Sequence, residues 1–261
     1  MTNVEYYSGA IDATGCVSNG WNLIKNNYGL FLGITLVAMI IAGCVPCFSL
    51  FFVGPIMGGV FYVVLREMRG EPIEFGMMFK GFEKFVPLMV IGIIQSIPEI
   101  VGQGIRFTVD IGRIGLLGGD GDPDLQFFQS SNPEFAIASG LLIVLAVVGV
   151  LLMLFAVVWR VLLFFAIPLA MEYDLGPVDA MKLSARAATS NIGGLIVLFI
   201  LEALVVLLGI LMLCIGLFFV MPIIYAANAF AYRQVFPLIE QNFQVTPPPP
   251  TIYGSSYGRG I

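Results

Sequence analysis

The sequence contains no histidine among its 261 residues. This absence excludes a Ser-His-Asp triad, a Cys-His nucleophile pair and every imidazole ligand to zinc or to haem iron. Catalytic constellations of other kinds are equally scarce. We therefore do not expect an enzyme, and the sequence identifies no cofactor.

Charged side chains are scarce as well. Only 12 Lys and Arg and 17 Asp and Glu occur, and 59% of the residues are hydrophobic. A soluble domain carries roughly 25% charged residues, against 11% here. The composition therefore predicts a polytopic membrane protein in contact with membrane lipids. A net charge of −5 and the lack of a Lys/Arg run argue against nucleic acid as a partner.

No signal peptide is indicated. The first residues, MTNVEYYSGAID, are polar and acidic, whereas a cleavable signal peptide begins with a positive region followed by a short apolar run. We expect the first membrane helix itself to direct insertion.

The uncharged stretches define the predicted membrane helices, since ~20 residues cross a bilayer. Residues 26–65 are forty uncharged residues, and one helix of that length would measure ~60 Å, so they form two crossings joined at Cys44-Val45-Pro46-Cys47. We predict an all-α bundle with six membrane helices: Tyr28 to Cys44, Phe48 to Leu65, Phe85 to about Val101, Phe135 to Val158, Ile192 to Leu213 and Gly216 to Tyr232. The fourth is expected to bend or end near Pro168, which lacks an N–H.

Positive charge is unevenly distributed between the loops. With the N-terminus in the cytoplasm, ten of the twelve Lys and Arg lie in or near cytoplasmic segments, and only Arg106 and Arg113 fall outside. Cytoplasmic loops of membrane proteins carry such an excess. Both termini are therefore predicted to be cytoplasmic.

Three amphipathic stretches lie outside the membrane helices. Their apolar residues share one helical face in each case: Val17, Trp21, Ile24 and Tyr28; Phe75, Met78, Phe79 and Phe82, opposite Lys80 and Lys84; and Val178, Met181, Ala185 and Ala188. We interpret them as interfacial helices in the cytoplasmic headgroup layer. Loops packed on the bundle are the alternative.

An internal repeat is the strongest pattern in the chain. CFSLFFVGPI at 47–56 and CIGLFFVMPI at 214–223 agree at seven of ten positions, and Arg66 aligns with Arg233 at the same offset of 167 residues. The repeat halves extend over about 11–69 and 178–236, and Pro55 and Pro222 would kink equivalent helices. Four crossings separate these helices, so the repeat is parallel, with its pseudo-twofold axis along the membrane normal, as in some transporters.

Two segments of the chain form a recognisable layout. The first, after the second predicted helix, is YVVLREMRGEPIEFGMMFKGFEKF, and the second is IPLAMEYDLGPVDAMKLSARAATSN, which is followed by two apolar helices and AYRQVF. In this layout the chain resembles a group of uncharacterised six-helix bacterial inner-membrane proteins. It is similar also to the membrane domain fused to some glycerophosphodiester phosphodiesterases. The resemblance covers about residues 11–236. It implies this fold and a location in the bacterial inner membrane, and it implies no activity.

Two short motifs offer weak candidate sites. The carboxylates of Asp120, Asp122 and Asp124 alternate as hard-cation ligands do, but an EF-hand counted from Asp120 would need glycine and glutamate where Leu125 and Ser131 stand. A solvated turn is the favoured interpretation. Cys44 and Cys47 have CxxC spacing in an oxidising compartment, which allows a disulfide, although two buried thiols are favoured.

Glu202 is the one charged residue within residues 195–220. A carboxylate in hydrocarbon costs at least ~2.5 kcal/mol, so it is normally paired, protonated or exposed to a cavity. Arg160 is predicted at a matching depth, ~12 Å from the cytoplasmic side against ~13 Å. We predict a buried Glu202–Arg160 pair. A protonatable or substrate-facing carboxylate in a cavity is one alternative, and pairing with another chain or with lipid is the other.

The chain divides into an N-terminal tail with an interfacial helix (1–27), the six-helix membrane domain (28–236) and a Pro-rich tail (237–261). The Pro-rich tail cannot build a core of its own. Together with the missing catalytic residues, it favours an accessory or structural subunit of a larger membrane complex, respiratory or photosynthetic for example. The alternative is a small-molecule or lipid transporter built on the parallel repeat and using Glu202.

The topology is testable by cysteine accessibility. In a chain without its native cysteines, a cysteine beside Lys80 should react with an impermeant thiol reagent only after the cells are opened. Reaction in intact cells would place that segment outside and contradict the predicted orientation.

Overall fold

The computed structural model describes residues 4–44, 46–116, 133–212 and 215–237, with side chains at 42–49, 108–143, 145–146 and 213–215 left out of the description. All regular structure in these ranges is helical. The α-helices are α1 (Ala13–Ile24), α2 (Tyr28–Cys44), α3 (Pro46–Met68), α4 (Phe85–Gln95), α5 (Ile97–Leu116), α6 (Pro133–Leu162), α7 (Ala166–Tyr173), α8 (Pro177–Ser190), α9 (Ile192–Leu211) and α10 (Ile215–Val235). Two 3₁₀ helices, Lys25–Asn27 and Phe75–Lys84, join α1 to α2 and precede α4.

Within these ranges, five helices are long and apolar enough to cross a membrane. A sixth span results if the 3₁₀ helix and α4 are counted together with the start of α5. The predicted third helix, from Phe85 to about Val101, is wrong as a single element, since it is broken at Ser96 with a bend of 47°. Helix α6 ends before Pro168, as expected, and Pro168 lies in the first turn of α7, where an N–H has no partner in the helix.

Helix α1 continues through the Lys25–Asn27 turn into α2, and residues 13–41 form one helical run. The predicted interfacial helix is therefore continuous with the first predicted span. Its face towards the bundle is formed by Ala13, Cys16, Gly20 and Ile24. Trp21, predicted to share the apolar face with Ile24, is exposed beside Tyr28, with 5.7 Å between ring centroids.

The segment before α1 is hydrogen-bonded to the far end of the chain. Asn191 bonds to the backbone of Tyr7 and Ala10, and the amide of Asp12 donates to Gln234 at 2.8 Å. Asp12 caps α1, and the bond from the Gly15 amide, followed by that from the Thr14 hydroxyl, holds the pKa of Asp12 below its usual value. This segment is thus ordered by its own chain.

Helix α3 approaches its neighbours through glycine. A Cβ added at Gly54 would overlap the Leu88 carbonyl, and one at Gly59 would overlap the Met78 carbonyl. Gly81 in the 3₁₀ helix contacts the Pro55 carbonyl in the same way. Small residues let helix backbones approach closely, so these glycines fix α4 and the 3₁₀ helix against α3.

Pro55 lies inside α3, and Pro222 lies inside α10. A proline within a helix removes one backbone hydrogen bond and strains the preceding turn. Beside Pro222, the hydroxyl of Tyr28 donates to the carbonyl of Phe219 at 2.6 Å, which supplies that turn with a donor from α2. The matching kinks and the parallel repeat stay predictions.

Aromatic side chains fill the core where α7, α10 and the N-terminal segment meet. Phe165, Tyr232 and Phe236 are fully buried, with ring centroids 5.3–6.3 Å apart. Tyr6 adds a fourth ring 6.2 Å from Phe236. In α8, by contrast, the buried residues are Ala180, Ser184, Ala187 and Ala188. Of the predicted apolar face, Ala188 is therefore buried, Met181 and Ala185 are half-buried, and only Val178 is exposed.

The glycine contacts of α3 predict that two Gly→Ala substitutions change the stability of the protein in opposite directions. Gly59→Ala should destabilise the protein by ~1–3 kcal/mol or more, because the new methyl group meets a backbone carbonyl. Gly29→Ala in α2 meets nothing within 4 Å and should stabilise its helix by up to ~1 kcal/mol. Thermal unfolding in detergent measures both, and equal effects would show that the close contact is absent.

Candidate functional site

Glu202 lies at the centre of α9, ten residues after Ile192 and nine before Leu211. Its Oε1 atom is buried and has no hydrogen-bond partner, and the same holds for Oδ1 of Asn228 on α10. Within the described residues, Glu202 forms no salt bridge. An acceptor in this state needs a proton, a water molecule or a cation to satisfy it.

Arg160 does not form the predicted salt bridge with Glu202. Its Nη1 atom lies 3.4 Å from Oε1 of Glu99, the acidic residue in the first turn of α5. Arg160 is close enough to Glu202 for an electrostatic interaction, but too far for a bond. The number of residues along each helix predicts only how deep Arg160 and Glu202 lie, not whether they face each other. The break in the predicted third helix brings Glu99 closer to Arg160 than Glu202 is.

The break at Ser96 is held by hydrogen bonds. The side-chain amide Nε2 of Gln95 donates to the carbonyl of Leu163 at 2.7 Å, and the indole N–H of Trp159 donates to the carbonyl of Ile94 at 2.8 Å. Ser96 ends α4, and its hydroxyl donates back to the carbonyl of Gly92. These bonds tie the end of α4 to the end of α6, which puts Glu99 beside Arg160.

The sequence contained a signal for this break. Ser96-Ile97-Pro98-Glu99 has the S-x-x-E spacing of a capping box, with proline near the first helical position. Both features predict the start of a helix. The sequence does not identify Glu99 as a site residue, because the surrounding apolar residues predict one continuous span.

The Glu99–Arg160 pair is exposed. The Arg160 side chain is 77% accessible and that of Glu99 is 62% accessible. Arg160 lies in the last turn of α6, and it is the only charged residue from Phe135 to Met171. The pair therefore lies on the outside of the helix bundle, within an apolar stretch.

A second group of charges is buried around Glu172, near the end of the candidate span Val147–Tyr173. Glu172 of α7 accepts bonds from both Nη atoms of Arg233, at 2.9 and 2.5 Å, and from the Tyr232 hydroxyl at 2.6 Å. The side chains of Arg233 and Glu172 are 9% and 15% accessible. Such a two-point contact between guanidinium and carboxylate is strong and geometrically specific.

This group extends to α3 and to the loop after it. Arg69 lies 3.9 Å from Glu172 and 2.6 Å from Glu71, and Arg66 lies 3.1 Å from Glu71. Arg66 and Arg233, which the repeat aligns, thus belong to one connected network of charges. No pattern in the sequence distinguishes Glu172 from other acidic residues near helix ends.

The remaining predicted site residues lie outside the described part of the chain. They are Asp120, Asp122 and Asp124, and the side chains of Cys44 and Cys47. Among the residues that are described, no group of three or more Cys, Asp or Glu is placed to hold a metal ion. An open cleft of about 530 Å³ lies between α2 and the loop after α3, where Glu67 and Glu71 make it acidic, and Glu202 does not line it.

No family model matches the chain. No solved structure matches it either. The chain is similar to the uncharacterised protein Rv2560 of Mycobacterium tuberculosis (strain ATCC 25618 / H37Rv), with 27% identity over 111 residues. The similar region covers 42% of this chain, and it spans about a third (34%) of the length of the other protein.

The buried charge network predicts a large effect of one substitution. Glu172→Ala leaves Arg233 buried without its partner, which should lower the free energy of unfolding by ~3–5 kcal/mol. The control is Glu83→Ala in the exposed Lys80–Glu83 pair, where a change below ~1 kcal/mol is expected. Unfolding in detergent measures both variants, and a loss at Glu172 no larger than at Glu83 would contradict a structural role.

Proposed function

We propose that this protein is a non-catalytic integral protein of the bacterial inner membrane. It functions as an accessory or structural subunit by assembling with other membrane proteins. The exposed Glu99–Arg160 pair carries this proposal. A charge at the centre of a membrane span costs at least ~2.5 kcal/mol, so charges within an apolar span normally face protein or water. Apart from Arg160, no charged residue occurs from Phe135 to Met171, so the pair lies within such a stretch.

The surface of α6 supports the same proposal. From Val147 to Val158, every side chain except Leu152 and Ala156 is exposed, and all of these residues are apolar. A helix that is apolar on all sides is surrounded by lipid or by more protein. The charged pair at its end favours protein, because lipid tails offer no hydrogen-bond partner.

Helix α9 provides the contrast. Its outer face is as apolar and as exposed as that of α6, with Ile196, Ile200, Leu204 and Leu208 among the exposed residues. Its single charge, Glu202, has a buried carboxylate oxygen. We therefore assign α9 to the lipid and α6 to a protein partner.

A transporter is the second candidate, and the break between α4 and α5 favours it. In transporters, discontinuous helices near the middle of the membrane bind substrates and coupling ions. Glu99 and Arg160 supply charged groups at such a break, and Glu202 is close enough to Arg160 for an electrostatic interaction. This function requires a water-filled path to Glu202.

Site-specific photo-crosslinking tests the assembly. A photoreactive residue at Val157, which is 50% exposed, should form adducts with protein in living cells. The same residue at Ile196, which is 49% exposed, should form adducts with lipid only. Lipid adducts alone at Val157 would contradict the proposal.

Thiol labelling tests the transporter. In a chain without its four native cysteines, Glu202→Cys should resist an impermeant thiol reagent if the carboxylate only packs between helices. Rapid labelling from either side would reveal a water-filled path and favour transport.

A further inference from the structure

We infer that the protein partner of α6 is a second copy of this chain, held by contacts between Arg160 of each copy and Glu99 of the other. The inference rests on the proposed function and deepens it by specifying the partner. It is based on the charges of the exposed patch formed by Glu99 and Arg160, and on the apolar face of α6 beside this patch.

The patch is self-complementary. It presents one cation and one anion 3.4 Å apart, both largely exposed. A twofold interface uses the same patch on both subunits, so a group on one copy meets a different group on the other. Arg160 of one copy can therefore meet Glu99 of the second copy, and the reverse contact follows by symmetry.

The membrane fixes the geometry of such a pair. Two copies with the same orientation are related by an axis along the membrane normal, and rotation about this axis leaves the depth of every residue unchanged. Glu99 and Arg160 lie at one depth because they are in contact. In the dimer, the four charges would alternate in sign around the axis at that depth, which leaves no charge facing lipid.

The face of α6 that contains Arg160 is suited to close helix packing. Residues at helical spacing on this face are Gly149, Val150, Met153, Ala156, Val157 and Arg160. No atom lies within 4 Å of a Cβ placed on Gly149, and Val150 and Met153 are exposed. Val150, Met153, Val157 and Arg160 follow steps of three, four and three, the spacing of a coiled-coil seam. Gly149, together with the half-buried Ala156 at the edge of this face, would let two α6 helices approach closely.

A charge-exchange experiment tests this pairing. Two differently tagged copies are co-expressed, one is captured from mild detergent, and the other is quantified. Glu99→Arg in both copies, or Arg160→Glu in both, should lower co-purification at least about tenfold, which corresponds to ~1.4 kcal/mol. A Glu99→Arg copy with an Arg160→Glu copy should restore it, since every contact across the interface again joins opposite charges. A chain carrying both substitutions should also restore it.

The exposed Lys80–Glu83 pair provides the control, and Lys80→Glu should leave co-purification unchanged. In the charge-exchange experiment, three results would overturn the inference: single variants that co-purify as wild type does, mixed copies that do not recover, or single variants lost from the membrane that only the double substitution rescues. The last result would place the pair within one chain. Adducts from Val157 to other proteins, without any adduct of twice the chain's mass, would refute the dimer and leave the proposed function standing.

Discussion

The backbone contact of α3 with the 3₁₀ helix and α4 is the constraint on which the rest of the structure depends. Gly54, Gly59 and Gly81 permit this contact because they have no Cβ. Helix α3 also packs against α2, α7 and α10. A shift of α3 would therefore displace these three helices as well. In a membrane, where helices gain little from burying apolar surface against each other, such close packing is a main source of stability.

The position of α4 has a consequence for charge. Because α4 is held against α3 and ends at Ser96, α5 begins beside α6, and Glu99 reaches Arg160. The pair is then left on the outer surface of the bundle. A buried pair at this point would be enclosed by its own chain, whereas this pair is open to contact from outside.

The two charge groups differ in their surroundings and so in their roles. Glu172 and Arg233 are almost fully enclosed and share several hydrogen bonds, including one from Tyr232. Removing one member leaves the other desolvated, so this group stabilises the fold. Glu99 and Arg160 have a single contact and are open to contact from outside. This pair is suited to recognition more than to stabilising the fold. Glu202 differs from both groups, because its buried Oε1 atom has no hydrogen-bond partner among the described residues.

The sequence by itself determined the helical class, the apolar segments and most helix limits, because hydrophobic length and proline act locally. Helix α2 has the predicted bounds, and α9 and α10 begin at or within one residue of the predicted positions. Even the break at Ser96 had a local signal in the S-x-x-E spacing. The tertiary structure alone decided which charges meet: periodicity gives the depth of Arg160 and Glu202, but the rotation and spacing of their helices depend on how they pack against other parts of the chain. For the same reason, only the fold showed that Glu172 joins Arg233, and that Arg160 faces outward with Glu99.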